Sequence, residues 1–98
     1  MKRLFVSQPM RGKTEDEIAR ERNQLRECLP SILKEDVEIM DTFFKDEGKP
    51  LELLGRSLEM LANADAAYFL SGWEQARGCR IEHEATVEYG IEIIGEEK

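Results

Sequence analysis

No apolar run in the sequence approaches the ~18 residues that a membrane span requires, so no transmembrane helix and no membrane partner are expected. The opening MKRLFVSQP has too short an apolar part for a secretory signal, which makes the cytoplasm the expected compartment. Cysteine is scarce: Cys28 and Cys79 lie far apart in segments of helical spacing and form no Cys-x-x-Cys pair. They are read as ordinary thiols rather than as metal ligands or a disulfide. The single histidine, His83, would need Cys79 with Glu82 or Glu84 to hold a metal, which is a thin set, and no metal is expected. Positive charge is also short, with 14 Lys and Arg against 21 Asp and Glu and a net charge of −7. That disfavours a nucleic acid polymer as partner, while leaving room for a small anion where a few basic side chains converge. Neither G-x-G-x-x-G nor G-x-x-x-x-G-K-[ST] occurs, so dinucleotide and P-loop chemistry lack their usual support.

What is present reads as one globular domain over residues 1–98, with 41% apolar and 36% charged residues. Lys2 to Ser7 (KRLFVS) is a predicted strand ending in the turn-rich Gln8-Pro9-Met10-Arg11-Gly12. Thr14 and Glu17 form a capping box before a helix with Ile18, Leu25, Leu29, Ile32 and Leu33 at helical spacing. Pro30 is expected to kink that helix or break its last turn. Val37 to Met40 is a second strand, and Thr42 to Lys49 a loop in which Phe43 and Phe44 pack over a neighbour. A helix then runs from Pro50 to about Asn63, with Leu51, Leu54, Leu58 and Leu61 as its apolar stripe. Asp65 to Leu70 is a buried third strand, Gly72 to Arg77 a loop, Gly78 to Tyr89 a helix closed by Gly90, and Ile91 to Ile94 a last strand.

Strands alternating with helices predict an α/β fold, a parallel four-stranded sheet covered on both faces. The flavodoxin-like order 2-1-3-4 makes strands one and three neighbours. Ligands in such sheets bind beyond the carboxyl ends of the strands, where the order reverses. The loop at Gln8 to Lys13 should therefore meet the loop at Ser71 to Gly78.

With residues ~100° apart on the last helix, Ile81, Ala85 and Tyr89 make one apolar stripe expected to face the sheet. Glu82 then lies ~60° from Ala85, at the stripe's edge and at the crevice end, where the helix dipole favours an anion. Glu84 and His83 point toward solvent, and Glu88 is at the wrong end. A carboxylate held ionised and partly shielded is what a glycosidic nucleophile needs, although a solvated glutamate in a first helical turn is the commoner situation. Trp73 reads equally as a core plug or as a platform for stacking a base. Arg11 and Lys13 leave strand one and Arg77 leaves strand three, so the three charges can meet at a phosphate.

Four separated motifs then carry a resemblance: Val6-Ser7-Gln8-Pro9-Met10-Arg11-Gly12, Asn63-Ala64-Asp65, Leu70-Ser71-Gly72-Trp73 and Gly78-Cys79-Arg80-Ile81-Glu82. In this order the chain resembles the nucleoside 2-deoxyribosyltransferase superfamily, in its small bacterial and phage branch. The resemblance implies a flavodoxin-like three-layer fold and retaining exchange at the anomeric carbon of a nucleoside, without cofactor or metal. A glutamate four residues after a glycine attacks that carbon, a role that falls to Glu82 after Gly78. By the resemblance Ser7 through Gly12 line the nucleoside pocket; the reading of the loops and helices adds Ser57, Trp73, Arg77 and Gly78 as expected binding residues. Assembly as a homodimer or larger oligomer is also implied. The chain departs from the pattern at Ser57, where the transferases carry an acid, and at Ala76, where they carry Asp or Ser. Two readings follow: an N-glycosidase or deoxyribosyltransferase acting on a nucleoside or its monophosphate, which is preferred, and a nucleotide-binding or sensing module using the same pocket without chemistry. A third, a plain oligomerising domain, predicts no nucleotide effect.

Overall fold

The computed structural model describes residues 2–32, 37–40 and 49–97. Four strands, β1 (Lys2–Ser7), β2 (Val37–Ile39), β3 (Ala66–Phe69) and β4 (Glu92–Glu96), form one sheet in the order β2-β1-β3-β4. Every pairing is parallel, with Leu4 opposite both Ile39 and Ala66, and Ala67 opposite Ile93. The expected order 2-1-3-4 is the observed one. Among the described residues three helices, α1 (Glu15–Ile32), α2 (Pro50–Ala62) and α3 (Arg77–Glu88), make the crossovers, and a 3-10 turn, Trp73–Gln75, precedes α3. Of the expected loop from Thr42 to Lys49, residues 42–48, with Phe43 and Phe44, lie outside the described residues, as does Leu33.

Side chains alternate across β1 and β3, and this divides the core in two. Leu4, Val6, Ala66, Tyr68 and Leu70 pack with Leu25 and Leu29 of α1 on one face. Phe5, Ala67 and Phe69 pack with Leu58 and Leu61 of α2 and Ala85 of α3 on the other. The result is three layers. β1 and β3 are buried on both faces, which explains their unbroken apolar runs. The N-terminus of α1 carries the expected capping box: Glu17 N donates to Thr14 Oγ1 at 3.1 Å, and the Glu17 carboxylate reaches back to Thr14 N at 3.4 Å. Helix α1 runs two residues past Pro30, so the proline falls in the last turn, where few backbone bonds remain to be lost.

Two expectations about apolar stripes are corrected. Leu51 of α2 is 76% exposed, so only the C-terminal part of its stripe reaches the core. Ile81 of α3 is 38% and Tyr89, its C-cap, 84% exposed, while the buried face of the helix is Cys79, Glu82 and Thr86. The helix is rotated from its apolar reading because its polar inner side is satisfied internally: Ser7 donates to Glu82, and Thr86 Oγ1 donates to the Glu82 carbonyl at 2.7 Å.

Candidate functional site

The carboxyl ends of β1 and β3 open into a cleft of about 780 Å³. The loops after these strands touch: a Cβ built on Gly72, which has φ +90°, would lie 3.4 Å from Pro9 Cγ. The positive φ and this close approach both favour glycine at position 72. Helix α2 forms the far wall through Leu53, Leu54 and Ser57, and the start of α3 supplies Ala76 to Arg80.

Glu82 lies at the base of this cleft and is 7% exposed. Its Oε1 accepts a 2.7 Å hydrogen bond from Ser7 Oγ, which is itself fully buried at the end of β1. Burial pushes the Glu82 carboxyl above its usual range, while the hydroxyls of Ser7 and Ser57 and the charge of Arg22 favour the ionised form. The expected source of stabilisation is thereby revised. Helix α3 begins at Arg77, so Glu82 is its sixth residue, beyond the first turn in which the dipole acts. Side-chain donors and a buried guanidinium take that role.

Cys79 sits one turn before Glu82 on the same face, and its thiol is pushed up to about 11, chiefly by burial, with a Ser7 hydrogen bond opposing and Glu82 adding. It is a neutral wall, not a nucleophile.

Of the residues singled out from sequence, Gln8, Pro9, Met10, Arg11, Ser57, Arg77, Gly78 and Glu82 line the cleft together. Ser7 acts from behind, through Glu82, and Gly12 (φ +80°) turns the loop without facing the cavity. Trp73 lies outside the lining. Its ring stacks on His83 with centroids 4.2 Å apart and tilts against Phe69 at 5.5 Å. His83, expected in solvent, is held there and sits 2.6 Å from Glu96 Oε1. Among the described residues no group of three His, Cys, Asp or Glu is placed to hold a metal.

The charge around the cleft is inverted relative to the chain. Among the described residues, Arg11, Lys13, Arg77 and Arg80 line it against one acid, Glu82, on a protein of net charge −7. Lys13 is paired with Glu21 at 2.8 Å, and Arg80 Nη1 donates to the Glu74 carbonyl at 3.1 Å. Burial would raise the Glu21 carboxyl, but hydrogen bonds from Lys13 and Gln8, with the lysine charge, leave it lowered.

Sequence reasoning missed Arg22. It is 8% exposed, and its Nε donates to Gln8 Oε1 at 2.6 Å. The signal was present, since Arg22 follows Ile18 by four and precedes Leu25 by three, which puts a charge in the apolar stripe of α1.

Among the described residues no helix is long and apolar enough to cross a membrane. No curated protein matches the chain. Residues 2–95 match the family described as Domain of unknown function (DUF4406), and the chain belongs to that family.

Proposed function

We propose that the protein is an N-glycosidase or 2-deoxyribosyltransferase-like enzyme of the nucleoside 2-deoxyribosyltransferase superfamily, acting on a nucleoside or nucleoside monophosphate with Glu82 as nucleophile. The observation that carries this reading is the buried Glu82 carboxylate, held by Ser7 at the base of a basic cleft. Glu82 Oε1 accepts from Ser7, and a carboxylate oxygen of Glu82 attacks the anomeric carbon. As the new C–O bond forms, the C–N bond breaks; its electron pair leaves with the base, which takes a proton from solvent. Water or a second base then attacks the same carbon and frees Glu82, so configuration is retained. Water exclusion around the carboxylate favours its attack. Arg11 and Arg77 would hold a phosphate. The apolar wall of Met10, Leu53 and Leu54 would take the base, since Trp73 is engaged with His83. The outward Ile81 and Val87 of α3, with Tyr89 at its C-cap, support assembly as a homodimer or larger oligomer.

A second reading, binding without chemistry, draws on there being, among the described residues that line the cleft, no carboxylate other than Glu82 to act as a general acid. Chromatography for released base, over a panel of nucleosides and their monophosphates, separates the two. Base above the no-protein control, abolished in Glu82→Ala, supports the enzyme. A nucleotide-dependent rise in melting temperature with no base released supports the binding module and overturns the enzyme.

A further inference from the structure

The loop from β3 to α3, residues 70–76, walls the cleft through Ser71, Gly72, Gln75 and Ala76. Ser71 and Gly72 are exposed, so apolar burial does little to hold them. Glycine also loses more backbone freedom on ordering than any other residue. The end of β4 holds this loop from behind. Glu97, the residue after β4, is half-buried and lies outside the cleft's lining. Its Oε1 accepts from Ser71 N at 3.1 Å, and its Oε2 accepts from the Tyr68 hydroxyl at 3.0 Å. Its own backbone N donates to the Phe69 carbonyl at 2.8 Å. A tie between β4 and β3 would be complete with Tyr68 and Phe69; the bond to Ser71 N carries it on into the loop. Burial, then the hydrogen bond and charge of Glu97, push the Tyr68 hydroxyl up to about 12, so at neutral pH it stays a donor to the carboxylate.

A second anchor holds the middle of the loop. Trp73 stacks on His83 of α3, and His83 sits 2.6 Å from Glu96 Oε1. Glu96 and Glu97 are neighbours in sequence, and their side chains go to opposite faces of the sheet. Glu96 meets α3, while Glu97 joins Tyr68 on the side of α1, where both line a second cavity with Glu21 and Leu25. The loop is thus gripped from both faces. Resting on the reading of the cleft as the ligand site, we propose that Glu97 is a positioning residue for the cleft, its carboxylate fixing the loop at Ser71 while the Trp73–His83 stack fixes its middle. Ser71, Gly72 and Gln75 are then in place before a nucleotide enters, and binding does not have to order them.

Amide hydrogen exchange of the full-length protein, followed by NMR, reads the loop at Gln75 and Ala76. Their N–H groups donate to the Gly72 and Trp73 carbonyls rather than to Glu97. In Glu97→Ala both should exchange roughly 3- to 10-fold faster, the loss of one hydrogen bond, while amides of β1 keep their rates. In Glu97→Gln, whose amide oxygen can still accept from Ser71 N, they stay near the wild-type rates. Trp73 is the one tryptophan of the sequence, so acrylamide quenching of its fluorescence should rise in the same order. Unchanged exchange at Gln75 and Ala76 in Glu97→Ala, or an equal acceleration across β1, overturns the role. Should Glu97→Ala fail to fold, Tyr68→Phe removes the hydroxyl that steers the carboxylate and must loosen the same two amides. Each nucleoside monophosphate of the panel above that the wild type binds should bind Glu97→Ala roughly 3- to 10-fold more weakly, because fewer molecules hold the loop ready. Equal affinity for both proteins overturns the role. A wild type that binds none of them overturns the reading of the cleft, while the exchange rates still decide whether Glu97 fixes the loop.

Discussion

Glu82→Gln should stabilise the fold at neutral and alkaline pH. The ordinary value of the carboxyl is 4.5, and burial holds it higher in the folded state. Between those two values the folded protein binds more protons than the unfolded chain, so stability falls as pH rises. The penalty is complete above the folded pKa and vanishes below the unfolded one. Each unit of separation corresponds to about 1.4 kcal/mol. Glutamine keeps the side chain's size, and its carbonyl oxygen can still accept from Ser7, so the substitution removes mainly the buried charge. The gain should fall in the range of roughly 1–3 kcal/mol found for a desolvated polar group. For a domain of this size each kcal/mol moves Tm by about 4–8 °C. Thermal melts of both proteins at matched pH, from 4 to 8, make the comparison, because all other titrations cancel in the difference. A gain that grows with pH and disappears near pH 4 fits the account. A variant that is less stable at pH 8, or a difference that does not depend on pH, would refute it.

Further outcomes follow from the same geometry. A Cβ on Gly95 would lie 2.5 Å from Tyr68 Cε2, and the Tyr68 hydroxyl is tied to Glu97, so the ring cannot simply swing away. Gly95→Ala should cost about 1–3 kcal/mol by overpacking, read as a lower Tm, and an unchanged Tm contradicts that packing. Arg11→Ala and Arg77→Ala should each weaken binding of a nucleoside monophosphate roughly 10- to 100-fold, the loss of one charge-assisted hydrogen bond, while leaving the free nucleoside nearly unaffected. Calorimetry showing equal losses for both ligands would contradict a phosphate role.

The sheet was legible because its signals are local. β1 and β3 are short apolar runs closed by turn residues, and Thr14 with Glu17 marks the start of α1. The meeting of the Gln8 and Ser71 loops then follows from the strand order alone. The facing of α3 was not legible in this way. Its buried side holds Cys79, Glu82 and Thr86 because β1 supplies Ser7 as a partner across 75 residues of sequence, which no periodicity records. Trp73 was ambiguous for a similar reason: its stacking on His83 depends on a rotation of α3 that places His83 inward rather than in water. Arg22 was missed because a charge within an apolar stripe reads as a break in the pattern, until its acceptors on Gln8 and Met40 are seen.

The most direct test of Glu82 as nucleophile is a search for the sugar bound to it. The 2-fluoro substituent of a 2′-fluorinated nucleoside or monophosphate slows breakdown of a glycosyl-enzyme, because its electron withdrawal opposes the oxocarbenium-like transition state. Peptide mass spectrometry of the quenched protein should place the added sugar on Glu82, with one base released for each adduct formed. Base release accompanied by an adduct on another residue, or undiminished turnover in Glu82→Ala, would contradict the account.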